Sequence, residues 1–184
     1  MPTRLITPPA ALAVSLASAK ANLRIDDDAQ DAIIPAWIAG ITAHAEHYTG
    51  LAFINQAWRV TLDAFPDAIE LPSPVSSVTS VKYIDEQGAE HLLANTEYTV
   101  DAVSRPGRIV PAYGKTWPTT RDQINAVTVD VVAGFGITDA DVPDTIKLYI
   151  LAKLTEQFDP AVRVEIGTVQ ASYIDRLLDP VKVY

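Results

Sequence analysis

The chain has 184 residues, enough for one domain or one domain with a sizeable insertion at about 150 residues per domain. Apolar residues make up 48% and charged residues 20%, which supports a buried core and excludes disorder by composition. A formal net charge of −9 argues against broad gripping of phosphate backbones, and the absence of cysteine excludes disulfides, Cys-ligated zinc, iron–sulfur clusters and thiol catalysis.

The start, Met1-Pro2-Thr3-Arg4-Leu5-Ile6-Thr7-Pro8-Pro9, does not read as a secretory signal. The Ala-rich stretch that follows is short and broken by Ser15 and Ser18, and no apolar run approaches the ~18–20 residues that cross a bilayer. The expectation is a soluble intracellular product with no membrane partner. A first helix is predicted from Ser15 to Leu23, with Leu12, Leu16, Leu23 and Ile25 as apolar contacts. The acidic run Asp26-Asp27-Asp28, followed by Asp31, suits the positive end of the next helix. That helix carries the clearest period in the chain. Ile33, Ile34, Trp37, Ile38, Ile41, Ala45 and Tyr48 fall on one face, with Glu46 opposite. Pro35 inside it predicts a mild bend, and Gly50 is the natural stop.

The middle of the chain alternates with period two. Trp58, Val60 and Leu62 oppose Arg59, Thr61 and Asp63, and Val127, Val129 and Val131 repeat the pattern. Val81 and Tyr83 lead to Asp85-Glu86-Gln87-Gly88, a hairpin turn. Leu71-Pro72-Ser73-Pro74-Val75 reads as extended, an edge or a crossover. Tyr98–Val100 and Arg108–Val110 are short strands, and Gly134-Phe135-Gly136 marks the exit. A third helix is predicted with Asp141 as cap, Pro143 in its first turn and a stripe of Ile146, Ile150, Leu151, Leu154 and Phe158. A last short helix, about Ala171–Leu178, ends at Pro180. The switch of period from 3.6 to 2 and back predicts an α+β fold. Residues 1–55 and 136–184 form a small helical bundle, and residues 56–135 an inserted antiparallel β module. Trp37, Ile38, Ile41 and Tyr48 are expected to pack against Ile146, Ile150 and Leu154.

Motifs that carry chemistry are sparse. His44-Ala45-Glu46-His47 is the one histidine cluster, but His44 and His47 lie on the flank of the apolar face and Glu46 roughly opposite, so the donors do not converge. The acidic run lacks the glycine and distal glutamate of a calcium loop. Neither GxGxxG nor GxxxxGK[ST] occurs, and there is no serine elbow. The expectation is no catalytic residue, no metal and no cofactor.

The order of features is what resembles a known family. Leu16-Ala17-Ser18-Ala19-Lys20-Ala21-Asn22-Leu23-Arg24-Ile25 precedes the acidic run, and Ala45-Glu46-His47-Tyr48-Thr49-Gly50 closes a helix. Gln56-Ala57-Trp58 opens a strand, Leu71-Pro72-Ser73-Pro74-Val75 leads into Val78–Asp85, and Trp117-Pro118 precedes Val127–Gly136. Val142-Pro143 opens the late helix, and Leu177-Leu178-Asp179-Pro180 comes near the end. In this order the chain resembles the tailed-phage head–tail connector (adaptor, or head-completion) family, in its long form with a β insertion. The family's closing motif often carries Arg where Pro180-Val181-Lys182 stands here, and its late helix often ends in an aromatic–basic pair where Phe158 is followed by Asp159-Pro160.

The resemblance implies a structural virion protein, synthesised in the bacterial host cytoplasm and found at the head–tail junction of a phage, prophage or gene transfer agent. It implies a homo-oligomeric ring, usually dodecameric, between the capsid portal protein and a stopper or tail-completion protein. Double-stranded DNA passes through such a ring without specific binding, which suits the acidic balance. It further implies a portal- or neighbour-binding role for the closing segment Leu177, Leu178, Pro180, Val181, Lys182, Val183 and Tyr184. Two other readings stay open: a metal-dependent hydrolase using His44, His47 and nearby acids, and a monomeric binding module of a non-viral assembly.

Overall fold

The computed structural model describes residues 2–159 and 173–182. Its elements, in chain order, are β1 (Thr3–Thr7), α1 (Leu16–Leu23), α2 (Ile34–Thr49), β2 (Gln56–Leu62), β3 (Ile69–Leu71), β4 (Val75–Ile84), β5 (Glu90–Leu92), β6 (Tyr98–Asp101), β7 (Gly107–Pro111), β8 (Val127–Ala133) and α3 (Asp144–Phe158). The fold is α+β, and its named strands pair antiparallel. Two compact units emerge. Met1–Pro9 and Asn55–Gly134 make a β unit, and Ala10–Ile54 and Phe135–Tyr184 a helical unit.

In the β unit, a five-stranded sheet of order β1-β2-β8-β4-β5 and a three-stranded sheet of order β3-β7-β6 share one core. The period-two pattern places the residues. Val60, Val129 and Val81 line up across three strands and are fully buried, as are Ile69 and Ile109 of the smaller sheet. On the opposite face Arg59 makes a bidentate pair with Asp130 (Nε–Oδ1 2.7 Å, Nη2–Oδ2 3.0 Å), and Ser80 Oγ donates to Asp130 Oδ2 at 3.2 Å. The expected turn closes the β4–β5 hairpin. The Asp85 carboxylate accepts from the Gln87 and Ala89 N–H groups, and Gly88 takes φ 86°.

Strand β1 departs from the sequence reading, which assigned residues 1–55 to the helical bundle. Thr3–Thr7 pairs with β2 and belongs to the β unit. The signal was present: two threonines and an isoleucine in a five-residue run bounded by Pro2 and Pro8.

In the helical unit, α1 is capped by Ser15, whose Oγ accepts from the Ser18 N–H at 3.2 Å, and Arg24 ends it in the left-handed region. The acidic run does not cap α2, which starts after Ile33 with no side-chain cap and takes Pro35 into its first turn. Instead Lys20 on α1 holds Asp28 and Asp31, each at 2.8 Å. Hydrogen bonds to these two carboxylates push the Lys20 ammonium up to about 12.

The buried face of α2 is Ile34, Ile38, Thr42, Ala45 and Thr49. It is rotated from the expected stripe. Ile33 and Tyr48 are exposed, and Trp37 and Ile41 are only partly buried against the core. On α3, Ile146, Tyr149, Ile150 and Leu154 are buried, while Leu151 lies at the core edge. Helix α3 begins two residues later than expected, with Pro143 and not Asp141 at its cap position. Asp141 caps a preceding 3-10 turn (Asp139–Asp141), and its carboxylate accepts from the Thr138 N–H and hydroxyl.

Thr49 is tolerated inside because its hydroxyl donates to the Ala45 carbonyl at 2.8 Å. Thr42 has no such bond among the described residues. Thr42→Val, which keeps the shape and removes the orphan hydroxyl, is therefore expected to stabilise the protein by about 1 kcal/mol. Urea melts check it, and a loss of stability would mean that the hydroxyl has an unseen partner.

Candidate assembly surfaces

The side chains of the histidine cluster meet different surroundings. Exposed His44 has its Nδ1 3.4 Å from the Tyr149 hydroxyl, and His47 sits in the last turn of α2. Glu46 is used structurally: its Oε1 accepts the Phe53 N–H at 2.7 Å. His91 lies in the β unit, 2.6 Å from Asp85 Oδ2 and stacked on Tyr83. Among the described residues no three His, Cys, Asp or Glu side chains gather as a metal site. The helical unit also carries a cleft of about 380 Å³, floored by Val14, Leu148 and Leu151 and rimmed by Asp139, Asp144 and Lys147. Two of its rim charges neutralise each other, with Lys147 Nζ 2.9 Å from Asp144.

The closing segment is built onto the helical unit. Residues 173–176 are helical, Ile174 is buried, and Asp175 meets Lys153 at 3.1 Å. Leu178 is buried, Leu177 and Val181 are partly buried against the same core, and Asp179–Val181 forms a 3-10 turn. The Lys182 ammonium lies over the Tyr48 ring, 4.2 Å from its centroid. Of the segment singled out from sequence, Pro180 is exposed and Lys182 half-buried. Val183 and Tyr184, like the expected helix start at Ala171, lie outside the described residues.

The sheets expose further surface. Both edge strands of the five-stranded sheet are exposed at every residue. In the smaller sheet, edge strand β3 buries two of its three residues. The β6–β7 loop presents Val103, 92% exposed, on a fixed frame. Asp101 accepts from the Val103 and Ser104 N–H groups, from the Ser104 hydroxyl at 2.7 Å and from Arg108 Nε at 3.1 Å. The Ser104 bonds above all, helped by Val103 and Arg108, hold the Asp101 carboxyl at about 2, below its ordinary 3.8. A depressed carboxyl stabilises the fold above its unfolded value and loses that contribution as pH falls through the folded one. The loop amides of Val103 and Ser104 are therefore expected to lose exchange protection between about pH 4 and 2, and Asp101→Asn to remove that titration. Unchanged protection across this window would mean that the carboxylate does not hold the loop.

A family model for phage gp6-like head–tail connector proteins matches residues 13–104, half of the chain. The chain belongs to this family. It is a structural head–tail connector. Among curated proteins there is no significant match. Three solved structures share the fold over the whole of the connector and 96% of their own chains. They are a chain from the neck of an empty gene transfer agent particle (21% identity, TM-score 0.80), one from a native gene transfer agent virion (20%, 0.79), and one from a native gene transfer agent neck computed with C12 symmetry (22%, 0.72).

Proposed function

We infer that the connector works as a closed homo-oligomeric ring, twelve-fold in the particle, between the portal and the stopper or tail-completion protein, with the packaged DNA passing through it. Membership of the head–tail connector family carries this reading, and the fold shared with neck proteins along the full chain supports it. The net charge of −9 suits a conduit, because an acidic wall gives the DNA backbone no counterion-releasing grip. A ring of this kind needs two different complementary faces on each subunit. For the portal contact the reading takes the closing segment from Leu177 to Tyr184. Its buried Leu178 then acts as the root, and Pro180, Lys182 and the residues beyond them as the contact.

The test is a particle-producing strain without this protein. Filled heads and free tails are expected to accumulate unjoined, with joining restored by the wild-type chain but not by one truncated after Pro180. Normal particles without the protein overturn the connector reading, and normal joining by the truncated chain removes the closing segment from the portal contact.

A further inference from the structure

The five-stranded sheet ends on both sides in strands whose outer edges are unpaired among the described residues. Open edges of this kind invite pairing with another chain, and proteins that stay monomeric blunt them. On β1, the Thr61 N–H donates to the Pro2 carbonyl at 3.1 Å, and Arg4 pairs with Arg59 in the same phase. The antiparallel alternation therefore turns the N–H and C=O groups of Thr3 and Leu5 away from β2. On β5, the Leu93 N–H donates to Val81 and the Asp85 N–H to Ala89, which brackets the hairpin. The same alternation turns the backbone groups of Glu90 and Leu92 outward.

Direction then selects the kind of pairing. Four antiparallel steps separate β1 from β5, so the two edge strands run the same way. Rotating copies about an axis along the strands brings β5 of one beside β1 of the next in parallel, a head-to-tail contact that repeats around a ring. In one register the outward groups interleave. There the Glu90 N–H would donate to the Thr3 C=O of the neighbouring copy, that copy's Leu5 N–H to the Glu90 C=O, and the Leu92 N–H to the Leu5 C=O. That register sets Arg4 opposite Glu90. Arg4 shares its sheet face with Arg59, and Glu90 shares it with Lys82, 3.2 Å away, so the opposite charges meet on one side. Arg4 has no acidic partner among the described residues. Leu5, Ile6 and Leu92, 39%, 46% and 69% exposed, would be covered by the same contact.

We propose that adjacent copies of this chain join through these two edges, β5 of one adding in parallel to β1 of the next with Glu90 against Arg4. This rests on the ring reading above and names the surface that builds it. The lack of cysteine makes a clean test possible. Within one chain, residues 4 and 90 are four strand spacings apart, roughly 19 Å, too far for a disulfide. On paired neighbouring strands they fall within bonding range. Full-length Arg4→Cys/Glu90→Cys protein, oxidised at the highest soluble concentration, is expected to give a ladder of covalent multimers, and each single variant none. Leu5→Pro removes an outward N–H without touching the β1–β2 ladder. Added to the double variant, it should abolish the ladder while circular dichroism and the melting temperature stay those of a folded chain.

Light scattering on the unoxidised protein separates the two readings. Rings without a ladder overturn the edge pairing and leave the ring intact. Crosslinking by Arg4→Cys alone points to a two-fold β1–β1 contact and overturns the head-to-tail proposal. Monomer throughout, with no ladder, overturns both in solution.

Discussion

Replacing Ile150 by alanine lowers the unfolding free energy of the helical unit by about 2–5 kcal/mol. Ile150 has no exposed surface and lies in one cluster with Ile38, Ile146 and Leu154, drawn from α2 and α3. Truncation removes the transfer energy of three carbons and leaves a cavity lined by side chains on two helices. Those helices cannot collapse into it without moving backbone. Leu148→Ala, on the same helix but with the leucine 55% exposed, is expected to stay within about 0.5 kcal/mol. The tryptophans make the units separately visible, since Trp37 belongs to the helical unit and Trp58 and Trp117 to the β unit. Equal losses for the two variants would mean that the α2–α3 contact is not the core of this unit.

Gly134→Ala is expected to cost about 3 kcal/mol and to act on the β unit. Gly134 follows β8 at φ 151°, and its N–H donates to the Pro74 carbonyl at 2.9 Å. A Cβ there would run into the backbone nitrogen and Cα of Asn55, atoms that no rotamer change can move. Two penalties therefore add: a backbone conformation nearly reserved for glycine, and a main-chain clash. Gly114→Ala supplies the contrast. Gly114 also has positive φ, 74°, but a Cβ there meets nothing within 4 Å, so only the conformational cost of roughly 1–2 kcal/mol applies. Comparable losses at both positions in urea melts would refute the clash at Gly134.

What was legible in the sequence follows from what each pattern encodes. Val127, Val129 and Val131 alternate because β8 is a central strand with one face in the core, so period alone located it. The existence of α2 was equally plain, but its inward face was not. Thr42 and Thr49 count as polar in any periodicity, yet packing buries both, and the stripe turns away from Ile33 and Tyr48. The acidic run suits the positive end of a helix, but Asp28 and Asp31 instead meet Lys20 of α1, a contact between segments that no local pattern encodes. The surface edges were the least visible. Strand β1 is five residues long, and its return partner in β5 only three, too short for a period to register. Their importance lies in strand order, which depends on pairings between distant segments. The closing segment was found by resemblance, not by pattern, and nothing in Leu177–Lys182 foretold that Lys182 would lie over Tyr48.

The position of β1 in the chain also sets an order of events. Its partner β2 lies beyond the whole segment 10–54, so β1 cannot pair until that stretch has been made. Closing so long a loop carries an entropic cost that the local β4–β5 hairpin does not bear. Strand β1, held on one side only and closing a far longer loop than the other edge strand β5, should therefore leave before β5 in native-state exchange. A chain that has not yet made β2 cannot present a docked β1 edge, so copies short of that point would be poor partners for one another.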